Sequence, residues 1–313
     1  MNRMIVTAKR SLLLILLGAA SLVPSACTSH FGDHVGGTIN EKLLLEKTFP
    51  SAQGEKLAVE VVAADVVVST WNKNEVSVKI YGDDDALEKV DITAEKSGEG
   101  VFVEIEKKSF LKSLSNLGLR VEIITPESYS AGIKTSGGDV KVKDMSGSFA
   151  LKTSGGNIGL KNLSGSLDAK TSGGNIRLEK FKGSAKVGTS GGNVEVKEVE
   201  GSVDAGTSGG DVLVDSKAGA ISASTSGGNI RVIYNGENQG IECSTSGGDI
   251  DVYVPGSFKA DVTLKTSGGS VSCELPASNM KTGQSSFTGL VNGGGPKLIC
   301  KTSGGSISLN KLQ

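Results

Sequence analysis

The feature that most constrains the fold is a four-residue motif, Thr-Ser-Gly-Gly, that recurs through the second part of the chain. Its nine copies begin at Thr135, Thr153, Thr171, Thr189, Thr207, Thr225, Thr245, Thr266 and Thr302. The first six copies are 18 residues apart, and the later spacings are 20, 21 and 36 residues, the last equal to two periods. A fixed period of this length predicts a repeat architecture with one structural unit per period.

Apolar residues occupy four positions of each period, at −4, −2, +5 and +7 counted from the motif Thr. In the period around Thr171 these residues are Leu167, Ala169, Ile176 and Leu178. Alternation with a period of two predicts two short strands, joined by a Gly-Gly corner and followed by a looser corner at a recurrent Gly-Ser pair. One such rung cannot offset the entropy of ordering 18 residues, so the rungs must stack. We therefore predict an all-β, single-stranded β-solenoid (β-helix) with 18-residue rungs.

Position +4 holds a short polar side chain in every copy, and seven copies carry Asp or Asn. They are Asp139, Asn157, Asn175, Asn193, Asp211, Asn229 and Asp249. Such side chains bond to neighbouring main chain in turns, so we expect a stacked structural ladder that closes the corner. Two other interpretations stay open: a calcium site, since a calcium-binding repeat also combines Gly with Asp, and an ice-binding file of Thr side chains. We assign no catalytic residue, no metal and no cofactor.

The N-terminus has the pattern of a secretion signal, predicted over residues 1–26. Basic Arg3, Lys9 and Arg10 precede a short apolar stretch, and small residues then lead to Cys27. This pattern resembles the lipobox of bacterial lipoproteins and predicts lipidation at Cys27, followed by a polar tether over residues 27–44. We expect an exported protein that is lipid-anchored in the bacterial envelope, at the outer membrane or facing the periplasm. Simple cleavage into the periplasm stays open.

The net charge bears on the class of partner, and the cysteine positions bear on disulfide bonding. The chain has 33 basic and 34 acidic residues, three of the basic ones within residues 1–26, so the mature chain is mildly acidic and no nucleic-acid partner is expected. Cys243 and Cys300 fall at position −2 and Cys273 at +7, where small buried side chains are expected. Counting rungs along the chain separates Cys243 from Cys300 by about three rungs, roughly 14 Å, which exceeds disulfide reach.

Residues 45–130 are predicted to form a β-rich N-terminal cap with degenerate rungs, before a solenoid over residues 131–313. Ala64–Val68 resembles a first rung, and residues 107–118 are expected to form a loop or short helix. One rung between Ser278 and Pro296 has lost its motif, and extra residues fall near 234–239 and 255–259. The chain stops soon after Leu309 without an evident cap, which predicts an open strand edge. We expect any binding site where the repeat fails.

The layout resembles the bacterial putative-adhesin family, a domain of unknown function related to head-GIN adhesin-like domains. The resemblance covers about residues 45–310. It is carried by the repeats and by residues 47–50 (Lys-Thr-Phe-Pro), 64–68 (Ala-Asp-Val-Val-Val) and the segment 119–126. It implies a right-handed β-helix-like solenoid on the cell envelope, without enzymatic activity and without a mapped site.

Three functions are weighed on this basis. The first is a non-enzymatic cell-envelope protein, an adhesin or binding solenoid, whose ligand is an unknown envelope or extracellular protein or glycan. The second is an envelope scaffold or stress-related protein that self-associates through its C-terminal edge. The third is a polysaccharide-lyase-like β-helix enzyme, which would need clustered acidic calcium ligands; the outward position +6 instead mixes both charge signs.

Overall fold

The computed structural model describes residues 41–108 and 118–312, most of them in strands or in the turns between strands. Across these residues, 24 strands are hydrogen-bonded into one sheet. They all lie in one compact unit, Ile39–Gln313. The β-solenoid prediction is confirmed. Within the described ranges the helix α1 (Ala86–Lys89) has four residues, and no helix there is long and apolar enough to cross a membrane.

Seven strands form the N-terminal part. They are β1 (Lys42–Pro50), β2 (Lys56–Val61), β3 (Ala64–Trp71), β4 (Glu75–Gly82), β5 (Val90–Ser97), β6 (Gly100–Lys107) and β7 (Leu119–Pro126). Because β1 begins at Lys42, the last residues of the expected 27–44 tether belong to a strand, and residues 47–50 lie inside β1. The signal segment, Cys27 and most of the segment 107–118 lie outside the described residues.

Eleven strands form the regular array. They are β8 (Ser130–Thr135), β9 (Val140–Lys152), β10 (Ile158–Lys170), β11 (Ile176–Gly188), β12 (Val194–Glu200), β13 (Val203–Gly206), β14 (Val212–Ala218), β15 (Ile221–Ser224), β16 (Ile230–Tyr234), β17 (Ile241–Ser244) and β18 (Ile250–Val254). Equivalent residues of neighbouring rungs pair in parallel register, so Ile158 lies between Val140 and Ile176. Each apolar position thus becomes a continuous buried file.

A further inward file, at position +10, lies between the motif and the Gly-Ser corner and does not follow from the alternating sequence pattern. Position +9 has a positive φ of 54–60° in four rungs, at Asp144, Asn162, Lys180 and Glu198. This bend turns position +10 into the core, where Met145, Leu163, Phe181 and Val199 are buried. Pairing then shifts register between β12 and β14, and the inward residues that follow are Ser216, Tyr234 and Val254. Each rung is therefore bent more often than the predicted two strands require.

The stacking order at the N-terminal end differs from the chain order. The rung made of β2 and β3 pairs in parallel with β8 and β9 on one side, with Val66 opposite Val140. On its other side it pairs in parallel with β6 and β7, which come later in the chain. Antiparallel strands then cover this end: β5 pairs with β6, β4 with β7, and β1 with β4.

Six strands make up the C-terminal part. They are β19 (Ala260–Lys265), β20 (Val271–Cys273), β21 (Ala277–Thr282), β22 (Ser286–Val291), β23 (Lys297–Lys301) and β24 (Ile307–Lys311). Strand β23 pairs in parallel with both β17 and β19, and β24 with both β18 and β20. The last rung of the chain therefore lies inside the stack, and the expected open edge after Leu309 is wrong.

The expected motif-less rung between Ser278 and Pro296 is also wrong. Residues 277–291 form the antiparallel hairpin β21–β22 instead, and β22 pairs antiparallel with β19. The hairpin covers the side of β19 that β23 leaves free. A hairpin rather than a rung explains why the motif spacing doubles to 36 residues here while the parallel stack continues through the last rung.

Candidate functional site

The motif Thr holds its corner through two hydrogen bonds. The Thr189 hydroxyl donates to the carbonyl oxygen of Gly174 in the preceding rung (2.8 Å), and it accepts from the backbone N–H of Gly192 in its own rung (3.4 Å). The same donation recurs along the stack and follows the spatial order at the C-terminus: Thr302 donates to Gly248 O and Thr266 to Gly305 O. The buried Thr file is a structural brace, so its hydroxyls are not presented to solvent as a surface.

The polar side chains at position +4 form a hydrogen-bonded ladder along the solvent face. Each side-chain oxygen accepts the backbone N–H of the equivalent residue in the next rung: Asn175 N–H donates to Asn157 Oδ1 at 2.9 Å, and Asn193 N–H donates to Asn175 Oδ1 at 2.8 Å. The series runs through Asp65, Asp139, Asn157, Asn175, Asn193, Asp211, Asn229, Asp249, Ser306 and Ser270. An acceptor oxygen is the shared requirement, which Asp and Asn meet equally.

These hydrogen bonds give the ladder a structural role, because they join each rung to the next. Each ladder oxygen from Asp65 to Ser306 already accepts a backbone N–H, and among residues 41–108 and 118–312 no group of three or more His, Cys, Asp or Glu side chains could hold a metal ion. The outward charges elsewhere pair across rungs, as Arg177 does with Glu195 (2.9 Å) and Lys186 with Asp204 (2.9 Å). Exposed pairs of this kind contribute little to stability.

The segments that break the repeat converge at one place. Residues 235–238, 255–259 and 294–296 line an open cleft of about 740 Å³, which we call the insertion cleft. The first two segments are the insertions identified in the sequence, and the third follows the Asn-Gly-Gly turn after β22, where Asn292, Gly293 and Gly294 all have positive φ. The sequence indicated that these irregularities mattered, but their meeting depends on the out-of-order stacking of β23.

Two Asn side chains tie the cleft loops together. Asn238 Nδ2 donates to the carbonyl oxygens of Lys259 (2.9 Å) and Pro296 (2.7 Å). Asn292 Nδ2 donates to those of Gly256 (3.0 Å) and Phe258 (2.8 Å). Each amide thus bridges backbone groups that would otherwise need water as a partner. Loops braced in this way are held in a defined arrangement.

Phe258 lines the cleft and packs against Tyr234. The rings of Tyr234 and Phe258 meet edge to face with centroids 6.0 Å apart, and both residues are buried. The Tyr234 hydroxyl lies 2.6 Å from the carbonyl oxygen of Glu237 and 3.0 Å from that of Gly219. Burial raises the pKa of Tyr234, so its hydroxyl stays a neutral donor at physiological pH. The Phe258 side of the cleft is therefore apolar, while Glu237 and Lys259 stand exposed at the rim.

Comparison with known proteins gives one family match. The family model described as Toastrack DUF4097 matches residues 54–310. No curated protein matches the chain in sequence.

Solved structures give matches at low identity. A "putative lipid binding protein" from Parabacteroides distasonis is 16% identical, covering 88% of this chain and 98% of its own, with a TM-score of 0.35. A "putative adhesin" from Bacteroides fragilis is 14% identical, covering 87% and 97%, with a TM-score of 0.33. A "putative cell adhesion protein" from Clostridium sporogenes is 14% identical, covering 87% and 100%, with a TM-score of 0.26. Similarity at this level assigns no function.

Proposed function

The chain belongs to the Toastrack DUF4097 family, and from that premise we propose that it is a non-enzymatic binding protein of the bacterial envelope, with the insertion cleft as its ligand site. The observation that carries the proposal is the convergence of the three repeat-breaking segments at one braced cleft. Regular rungs need only their own repeat to stack, so segments that leave the repeat are free to serve recognition.

The lining of the cleft favours a polar ligand. Exposed Glu237 and Lys259 offer one charge of each sign at the rim, and Gly294, Gly295 and Pro296 bring backbone close to the opening. Phe258 is only 4% exposed, so it is not an open stacking platform. Hydrogen bonding and charge pairing, suited to a protein segment or a glycan of the envelope or its surroundings, are the interactions that the cleft can supply.

Export and anchoring complete the proposal. The basic n-region, short apolar stretch and small residues before Cys27 support removal of residues 1–26 and lipidation of Cys27. A lipid anchor would hold the solenoid at the membrane surface. Self-association through the C-terminal edge is not carried forward, because β24 is paired on both sides.

Binding to envelope fractions and to glycan arrays tests the cleft directly. The full chain is compared with the charge reversals Lys259→Glu and Glu237→Lys, and with Lys143→Glu as a matched control. Lys143 is equally exposed but lies at least five rungs away, about 24 Å by strand spacing. We expect saturable binding that both cleft variants weaken at least tenfold and the control leaves unchanged. Binding that all three variants retain equally would show that the ligand site lies elsewhere.

A further inference from the structure

Two cysteines that lie far apart in the sequence occupy neighbouring positions in the core. In the inward file at position −2, Cys243 pairs in register with Ala223 on one side and with Cys300 on the other. Cys300 in turn pairs with Leu264. Both cysteines are fully buried. The expectation that three rungs separate them is wrong, because β23 inserts next to β17 instead of following β22.

The geometry brings the two thiols side by side. In-register residues on adjacent parallel strands have Cα atoms about 4.8 Å apart and side chains on the same face. That separation lies inside the range of about 4.4–6.8 Å found for disulfide-bonded cysteines. The two residues are 57 positions apart in the chain, so a bond between them would close a loop that contains β18 to β22.

The surroundings of the pair keep it unreactive once the rungs have closed. The neighbouring Cys243 thiol and burial both raise the pKa of Cys300 well above its ordinary value. A thiolate is the species that attacks a disulfide, so exchange by the reduced pair in the folded core is suppressed. The third described cysteine lies in another file: Cys273 is half-buried and contacts the carbonyl oxygen of Leu275 through its Sγ at 3.7 Å.

We propose that Cys243 and Cys300 form a disulfide bond that fixes the last rung of the chain inside the stack. The proposal rests on the proposed export only for its oxidising compartment, and it is independent of the ligand. Before β23 docks, one thiolate attacks a disulfide donor of the thiol–disulfide oxidoreductase class, and the second displaces the donor thiol from the mixed disulfide. Two protons and two electrons leave the pair, and the donor disulfide is reduced to two thiols.

The bond would secure the rung whose position in the stack differs from its position in the chain. Strand β23 lies between β17 and β19, although β18, β19 and the hairpin β21–β22 all precede it in the chain. A covalent link between β17 and β23 shortens the loop whose closure this placement requires. It also ensures that β23 cannot leave without carrying β17 with it.

Peptide mapping tests the bond. The full chain carrying Cys27→Ser is unfolded, refolded with oxidised glutathione as the disulfide donor, alkylated while denatured, and digested with trypsin. We expect the Cys243 peptide, residues 232–259, linked to the Cys300 peptide, residues 298–301, and the Cys273 peptide, residues 266–281, alkylated. The same link is expected in chain purified from a bacterial periplasm. Cell fractionation measures separately whether the protein reaches the periplasm. If export fails, the result of the refolding experiment remains valid.

Thermal unfolding with and without reductant separates a bond from mere packing. We expect reductant to lower the Tm of the refolded chain by several degrees and to leave Cys243→Ala unaffected. Alanine already occupies position −2 in two other rungs, at Ala205 and Ala223, so the variant should still fold. Cys273→Ala serves as the control and should keep the reductant effect. Alkylation of both Cys243 and Cys300 in refolded protein, or a link through Cys273 instead, would overturn the proposal.

Discussion

At the scale of single residues, the two glycines of the motif differ in how closely they approach the backbone of the preceding rung. The second glycine packs its backbone directly against the preceding rung, so that a Cβ added at Gly192 would overlap the carbonyl oxygen of Gly174. A Cβ added at the first glycine, Gly191, would lie 3.6 Å from the nearest atom, Gly173 O, in ordinary contact. Close stacking at the corner is therefore what the second glycine permits.

The pair Gly192→Ala and Gly191→Ala tests this difference within one corner. We expect Gly192→Ala to lower the free energy of unfolding by about 3 kcal/mol, because backbone must move to admit the methyl group. Gly191→Ala should change it by about 0.5 kcal/mol or less in either direction. Urea unfolding followed by circular dichroism measures both. Equal losses in the two variants would contradict the assignment of the close contact to the second glycine.

The hydrogen bonds of the corner also account for its tolerance of Asp and Asn. Asp139 and Asn157 each supply one oxygen to the N–H of the next rung, and Ser306 does the same near the end of the series. The spacing of these residues was readable in the sequence because a repeated backbone position demands a repeated side-chain type. The donor N–H that each side-chain oxygen accepts was not readable, since it lies one rung away.

At the scale of the structural element, each regular rung bends at the Gly-Gly corner, at position +9 and at the Gly-Ser corner, around a core of several files. The files at −4, −2, +5 and +7 follow from simple alternation. The file at +10 escapes that pattern because a positive-φ residue at +9 reverses the direction in which the next side chain points. The residues that adopt this conformation include Lys180 and Glu198, which carry no clear turn signal. Alternation alone therefore could not locate the bend.

Phe181→Ala tests the file at position +10. Phe181 is 2% exposed and lies between Leu163 and Val199 in adjacent rungs, so its removal leaves a cavity that the stacked backbone cannot close. We expect a loss of about 3–5 kcal/mol in the free energy of unfolding. The neighbour Lys182→Ala, at an exposed site with an ion pair to Glu200, should cost about 1 kcal/mol or less. A small effect of Phe181→Ala would mean that position +10 does not face the core.

At the scale of the whole described unit, the rungs stack in an order different from that of the chain. The position of a residue relative to the motif Thr predicts which file contains it, but it carries no information on which rung is its neighbour. The rung of β6 and β7 lies beyond that of β2 and β3, and the rung of β23 and β24 lies between earlier ones. This arrangement removes the open C-terminal edge, joins the loops of the insertion cleft, and brings Cys243 beside Cys300.

Backbone nuclear Overhauser effects on isotope-labelled protein report the order of the last rungs. Leu309 in β24 pairs with Val252 in β18 on one side and with Cys273 in β20 on the other. We expect interstrand contacts between the backbone protons of Leu309 and those of both strands, and none between Val252 and Cys273. Direct contacts between Val252 and Cys273, with Leu309 contacting a single strand, would show that β24 does not lie between β18 and β20.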